Sequence, residues 1–315
     1  MCRCATVAWG PRVLTIHQLQ VFATVAELGS VRRAAEQLVV SQPAVSASLA
    51  SLQREVGVEL FTKAGRGIEL TDAGRTFERY ARVMLGLVDE AIAATRFAHE
   101  AVEAPVRLGA TTASADHMLM PQLARVRERR PELTFTLEVA NRARIWQLLN
   151  DRVIDVAIST RPPGTGGFVS VATRPNEFVL VAKPGLVWSG KVGDATWLVR
   201  EDGSSTRAAT DEVMTLLGVM PTTLPIGSNA AIQRSVEAGL GVALLPSEAV
   251  KEALANRVLA AIRTDATPLR KPWHVVVRDG EPLSTSARRF VEDLVGDGRE
   301  FAWTPGGATF VRGER

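Results

Sequence analysis

Residues 41–57 read SQPAVSASLASLQREVG. In this stretch Val45, Leu49, Leu52 and Val56 recur at i, i+4, i+7 and i+11, the spacing of one buried helical stripe. Ser41 stands at the cap position. Pro43 is tolerated because the amides of a first helical turn have no intrahelical acceptor. The opposite arc carries Pro43, Ser46, Ala47, Ala50, Ser51 and Arg54, all short except the last. So bare a face lets the helix backbone approach another surface. Close packing and DNA reading explain this helix equally well when it is taken alone; its neighbours decide.

Upstream, TIHQLQVFATVAELGS (15–30) opens on a capping box, Thr15 with Gln18, and places Leu19, Phe22, Ala23 and Ala26 on one face. Gly29 marks a left-handed helix end and Ser30 caps a short second helix, with Ala34, Ala35 and Leu38 turned inward. Downstream, LFTKAGRGIELT (60–71) runs from Leu60 and Phe61 through a basic turn (Lys63, Gly65, Arg66, Gly67) and returns through Ile68 and Leu70. That pattern predicts a hairpin wing whose two cations suit phosphate or minor-groove contact. Helix, turn, small-faced helix and basic wing in this order predict a winged helix-turn-helix whose bare helix enters the DNA major groove. Arg54, the one long side chain of the bare arc, joins the DNA-facing set. Six basic side chains in 15–75 are balanced by six acidic ones, so arrangement rather than net charge carries the reading.

The text LQVFATVAELGSVRRAAEQLVVSQPAVSASLASLQREVGVELFTKAGRGIELTDAGR (19–75) resembles the winged helix-turn-helix of the LysR-type transcriptional regulators. The Ser-Gln-Pro-Ala-Val-Ser run, the Gly-Val-x-Leu-Phe segment and the Leu-Thr-x-Ala-Gly close carry the resemblance, which continues over nearly all of 15–298. It implies that Gln42, Pro43 and Ser46 meet bases or nearby sugars, and that Ser30, Arg32, Arg33, Ser41, Lys63 and Arg66 meet the DNA backbone. The chain departs from the family at Ala47, where Arg is frequent, and at Val39, apolar where the turn is often polar. Without that Arg a bidentate guanine reader is missing, and DNA shape must supply more of the specificity.

From Thr71 to about His99 there is no proline, and Phe77, Ala81, Met84, Val88, Ala91 and Thr95 are spaced 4, 3, 4, 3 and 4. A 3.5-residue repeat is the seam of two helices wound together. A dimerisation helix using Phe77, Ala81, Met84, Val88 and Ala91 is therefore expected, in preference to an amphipathic helix packed on its own domain. It would set two recognition helices on a two-fold operator.

Beyond Pro105 strands and helices alternate. Strands are expected at 106–110, 133–139, 154–158, 178–182, 242–246 and 273–277, with a weaker one at ATWLV (195–199). Helices are expected at 116–130, 142–151, 206–218, 229–238 and 284–296. The fold class is α/β, and open sheets of this kind bind ligands beyond the carboxyl ends of their strands. The segments found there are TTAS (111–114), STRP (159–162), REDGSSTR (200–207) and GSNAAI (227–232), rich in hydroxyls and amides at helix N-termini that favour anions. Arg161, Arg200 and Arg207 add charge. For any single segment an ordinary helix cap competes, and for Arg200 a surface pair with Glu201. The resemblance implies two α/β lobes like a periplasmic binding protein with the effector between them, in a cleft lined by Thr111, Thr112, Ser159, Arg200, Ser204, Thr206 and Asn229. It also implies crossings between lobes near 177–179 and 267–270. REDGSSTR and GSNAAIQRSVEAGLGVALLP are most similar to the branch controlling carbon fixation and sulfur assimilation, whose effectors are small anions. The family's peroxide sensors use effector-domain cysteines, and here Cys2 and Cys4 are the only two.

The expected layout is a tail (1–14), a DNA-binding domain (15–72), a linker helix and hinge (73–104), an effector domain (105–300) and a C-terminal tail (301–315). Lobe I comprises 105–178 plus 269–300, and lobe II 179–268. A chain of 315 residues with 46% hydrophobic content holds buried cores, and no apolar run approaches a membrane span. Two cysteines and four scattered histidines suggest neither a disulfide framework nor metal ligands. A cytoplasmic regulator without catalysis, metal or cofactor is expected. Its partners are double-stranded promoter DNA, a small anionic effector and itself, as a dimer through the linker helix extended to a tetramer. RNA polymerase is a further candidate partner. A solute-binding transport protein would need an export signal and would not carry 15–72. An effector-independent repressor would lack the cleft, and an enzyme would need a nucleophile–base pair or a phosphate loop longer than KAGRG or AGLG.

Overall fold

The capping box forms as read. The Gln18 N–H donates to Thr15 Oγ1 at 3.2 Å, and the Thr15 N–H donates to Gln18 Oε1 at 2.8 Å. The computed structural model describes residues 14–65, 67–100, 104–164, 167–186, 191–296 and 298–313. Cys2, Cys4 and Arg66 therefore lie outside the described residues. The chain divides into two compact units between Arg96 and Phe97.

In the first unit, α1 (Ile16–Leu28) ends at Gly29 in the left-handed region, and α2 (Val31–Leu38) and α3 (Gln42–Val56) follow. The wing pairs β1 (Phe61–Ala64) with β2 (Gly67–Leu70) in antiparallel register, Phe61 opposite Leu70. Val45, Leu49 and Leu52 are buried as the stripe predicts, against Leu19, Phe22, Ala34, Ala35 and Leu60. On α1 the larger Val21 and Val25 take the interior, leaving Ala23 and Ala26 half-buried, because α2 and α3 cover a wide arc of a short helix. Phe22 packs on Phe61 at 5.1 Å and edge-on to Phe77 at 4.9 Å. The wing is pinned to the α1–α2 turn by the Ile68 N–H, which donates to the Gly29 carbonyl at 3.1 Å. A Cβ on Gly67 would stand 2.8 Å from that same oxygen, so the approach requires glycine.

The long helix α4 spans Asp72–Glu100. Its predicted seam is corrected at the N-terminal end: Phe77 packs on Phe22, and Ala81 is fully buried in the unit's own core. Ala81 is thereby closed to a partner helix, and the half-buried Phe77 is engaged by its own unit. The helix carries apolar residues on two arcs, and spacing alone does not say which arc its own domain covers. Tyr80, Met84, Leu87, Ala91 and Ile92 form the exposed stripe, with Val88 half-buried.

In the second unit one sheet has the order β14-β6-β13-β5-β3-β4, built from β3 (Val106–Thr111), β4 (Phe135–Ala140), β5 (Val156–Ser159), β6 (Phe168–Arg174), β13 (Trp273–Arg278) and β14 (Ala302–Trp303). Strands β3, β4 and β5 are parallel, and β13 runs antiparallel to β5 and β6. The short α5 (Thr112–Ser114), a π-helical turn at Ala115–Leu119, α6 (Met120–Arg129) and α11 (Thr285–Val295) cover one face, and α7 (Arg142–Asn150) covers the other. The second sheet centres on β7 (Glu177–Ala182), flanked by β10 (Ala243–Pro246), β11 (Ala260–Ile262) and β12 (Leu269–Arg270). A parallel pair, β8 (Trp197–Val199) with β9 (Thr223–Pro225), lies with α8 (Ser205–Leu217), α9 (Asn229–Ala238) and α10 (Ser247–Ala255).

Two expected boundaries move. Because β7 and β12 pair with each other, the chain crosses between lobes at 175–176 and returns at 271–272, a few residues from the expected positions. The expected C-terminal tail is part of lobe I. Strand β14 pairs with β6, α12 (Gly307–Arg312) follows, and Phe301 and Val311 are buried in the lobe I core. No helix among the described residues is long and apolar enough to cross a membrane.

Candidate functional site

On α3 the side chains of Gln42, Pro43, Ala44, Ser46, Ala47 and Ala50 are all exposed, so the bare arc is free of its own domain. Ser41 Oγ accepts the Ala44 N–H and Ser30 Oγ accepts the Arg33 N–H, each at 3.4 Å. Both serines thus set helix N-termini where the remaining amides and the helix dipole favour phosphate. Arg54 folds back, its Nε donating to the Ala50 carbonyl at 3.3 Å. Arg32 stands 3.8 Å from Glu36 in an exposed pair, which water and salt screen heavily. Arg33 and Lys63 are exposed.

In the second unit the carboxyl ends of β3 and β5 lie side by side, Ala110 opposite Ile158. Thr111 Oγ1 and Ser114 Oγ are 2.9 Å apart, and Ser114 donates to the Ile158 carbonyl. Thr111 is therefore committed to the turn, while Thr112 is half-buried. The next two hydroxyls, Ser159 Oγ and Thr160 Oγ1, are buried and have no protein partner among the described residues. Thr160 lies within the STRP segment but is not singled out there.

Arg200, Ser204, Thr206, Arg207 and Asn229 come together in lobe II. Arg200 donates to both Glu201 oxygens, at 2.7 and 2.9 Å, and to Asn229 Oδ1 at 3.1 Å. Asn229 Nδ2 reaches Thr206 Oγ1 at 3.3 Å, and Ser204 Oγ accepts the Thr206 N–H at 3.2 Å to cap α8. Burial alone would raise the Glu201 carboxyl, but hydrogen bonding and charge from Arg200 hold it below its usual value. Arg207 is held by Asp211 at 2.9 Å and donates to the Arg200 carbonyl. The cations of this cluster are thus paired with carboxylates. The Gly203 carbonyl accepts the Ala143 N–H at 3.2 Å, which brings this loop of lobe II onto the β4–α7 junction of lobe I.

Arg161 keeps different company. It lines a cavity of about 540 Å³ with Ser170, Arg270, Lys271, His274 and Thr304. A smaller cavity of about 350 Å³ is lined by Asn176, Glu177, Glu248 and Arg270. No local signal marks Ser170, His274 or Thr304 in the sequence; strand pairing alone assembles them.

Residues 16–75 match the profile described as bacterial regulatory helix-turn-helix protein, lysR family, and residues 99–298 match LysR substrate binding domain. The chain is 28% identical over 295 residues to the RuBisCO operon transcriptional regulator of Allochromatium vinosum, covering 90% of this chain and 96% of that one. Full-length CbnR complexed with target DNA is similar in structure, with a TM-score of 0.61, 22% identity and coverage of 89% and 99%. The Synechocystis CcmR regulatory domain in complex with 2-PG gives 0.57 at 23% identity, over 62% of this chain and 97% of that one.

Proposed function

The chain belongs to the LysR family of DNA-binding transcriptional regulators, and from that premise we propose how its two units divide the work. In the first unit Gln42, Pro43 and Ser46 read base edges and sugars. Ser30, Arg32, Arg33, Ser41, Arg54, Lys63 and Arg66 hold the backbone. The exposed, short-side-chained arc of α3 is the observation that supports this assignment. With Ala47 and Ala50 on that arc, direct readout is sparse, and wing contacts and operator spacing supply much of the specificity.

In the second unit a small anionic metabolite occupies the space beyond the carboxyl ends of β3 and β5. The buried, unpartnered hydroxyls of Ser159 and Thr160 support this placement, with Thr112 and the Arg200–Asn229 cluster as the facing wall. By analogy with the named relatives, the effector is a small anion such as 2-PG and the regulated genes serve carbon fixation. Ligand binding changes the angle between lobes, hence effector-domain packing and the spacing of DNA-binding pairs. The chain carries out no catalysis and works in the cytoplasm, where its DNA is.

The test is titration of the full-length protein onto operator and random duplexes across a range of salt. Gln42→Ala with Ser46→Ala is expected to reduce operator preference by roughly tenfold or more, at about 1–3 kcal/mol per lost base contact, with little effect on random DNA. Lys63→Ala with Arg66→Ala weakens both duplexes alike and lowers the salt slope by about 1 per lost phosphate contact. Equal losses on both duplexes from both pairs would refute this division.

A further inference from the structure

We propose that the cavity lined by Arg161, Ser170, Arg270 and His274 is a second anion site, beside the inter-lobe hinge, for a small organic phosphate or dicarboxylate. Its charge differs in kind from that of the Arg200 cluster. There each guanidinium faces a carboxylate, whereas Arg161 and Arg270 are exposed and have no ionic partner among the described residues. Lys271, at the same cavity, is held by Glu212 at 2.6 Å, and no carboxylate lines the space.

The uncharged polar groups are fixed in place. Ser170 Oγ lies 2.8 Å from His274 Nδ1, and Thr304 Oγ1 donates to the Ser170 carbonyl at 2.6 Å. Assigning the Ser170 proton to the 2.8 Å contact with Nδ1, shorter than its 3.5 Å approach to the Ala172 carbonyl, puts the proton of the neutral ring on Nε2, where it remains a donor. Burial, reinforced by the Arg161 charge, lowers His274 to about 4, so the ring is neutral near pH 7. Two forked guanidinium groups with an imidazole N–H between them form a receptor for a polyanion. At about 540 Å³ the space exceeds what a bare inorganic ion fills and lies in the range of small-metabolite pockets.

The position gives the site a consequence. Arg270 ends β12 and His274 lies in β13, so both flank the return crossover, while Arg161 follows β5 in lobe I. An anion gripped by Arg161 and Arg270 ties lobe I to the strand through which lobe II is hung. The inference is independent of the reading of the Ser159–Arg200 cleft, because none of those residues lines this cavity.

The experiment uses the full-length protein with three probes: glycerol 3-phosphate, succinate and inorganic phosphate. Calorimetry gives affinity, and the His274 ring-proton NMR signal, assigned through His274→Asn, gives location. Glycerol 3-phosphate or succinate is expected to bind with a Kd of about 0.1–1 mM and to shift the His274 signal towards that of a more basic ring. Whichever of the two binds more tightly identifies the headgroup, and inorganic phosphate binds more weakly than either. Arg161→Gln with Arg270→Gln weakens binding about tenfold or more, while Arg161→Lys with Arg270→Lys recovers part of it. An unchanged melting temperature certifies that each variant is folded. The proposal is overturned if no probe binds saturably by about 10 mM. It is equally overturned if binding leaves the His274 signal unmoved, or if the double Gln variant binds like the parent.

Discussion

Val39 closes α2 at φ 55° and ψ 44° with its side chain 89% exposed. A β-branched residue in the left-handed region is disfavoured by about 1–2 kcal/mol, and nothing buries the isopropyl group to offset the strain. The family resemblance already marked this turn as unusual for lacking a polar residue; the backbone angle gives the physical reason a polar residue suits it. Asn tolerates this conformation far better. Val39→Asn is therefore expected to stabilise the winged unit by about 1 kcal/mol, read from denaturant unfolding of its helical signal. Val39→Gly gains less, because glycine also loosens the unfolded chain. Stability unchanged or lowered in the Asn variant would mean that the left-handed valine costs the winged unit nothing.

Helix α4 shows how much an element's pattern reveals and where it stops. The 3.5-residue repeat predicts an apolar seam, yet its first two members, Phe77 and Ala81, pack against their own unit. Period specifies the presence of a stripe, but only tertiary packing specifies which stripe is left over. The leftover one runs through Tyr80, Met84 and Leu87, which are 65%, 38% and 50% exposed. The two arcs predict opposite phenotypes. Met84→Glu with Leu87→Glu should turn the sedimenting species towards monomer with the winged unit still folded, since charge at a seam opposes association. Ala81→Glu should unfold the winged unit itself, by about 3 kcal/mol or more for an unpaired charge in a core. Monomer from both, or from neither, would reject this assignment of the arcs. The same distinction runs through the second unit. Long apolar strands such as β3 and β13 were legible because their own residues dictate them. Strands β11 and β12 are two or three residues long and exist only because β7 offers them an edge. Segment 301–313 read as a tail because its apolar residues fall in two short clusters, Phe301–Trp303 and Phe310–Val311, parted by Thr, Pro and Gly, and clusters so short carry no period. Ser170 and His274 are 104 positions apart and meet through strand register alone, so no local pattern foretold that cavity.

Between the lobes, the two crossover peptides are supplemented by a tie of charged groups. Arg174, at the end of β6, donates to Glu248 of α10 at 2.6 Å and to Glu300 at 2.8 Å, and Arg125 approaches Glu300 at 3.6 Å. Glu248 belongs to lobe II and the other three groups to lobe I. Burial works to lower the Arg174 guanidinium, but its two carboxylate partners more than compensate. Glu300, hydrogen-bonded by Arg174, is held below its usual value. Arg174 and Glu300 therefore stay charged through the physiological range, and rotating one lobe against the other is what parts Arg174 from Glu248. The side chains of Arg174 and Glu248 are 15% and 32% exposed, so solvent reduces the worth of the contact to about 1–2 kcal/mol. If the effector works by changing the inter-lobe angle, breaking this contact is part of what its binding must accomplish, and weakening it shifts the lobe equilibrium by roughly 5–30-fold. Glu248→Gln is the sparing variant, since Arg174 keeps Glu300 and remains compensated. Its amides at 174, 176, 177, 270, 271 and 273 should exchange hydrogen faster than those of the parent, and the DNase footprint should respond to the proposed anionic effector at a concentration about fivefold lower or less. Faster exchange with an unmoved effector response would locate the switch outside the lobe angle. Exchange and response both identical to the parent would show that the Arg174–Glu248 pair restrains nothing.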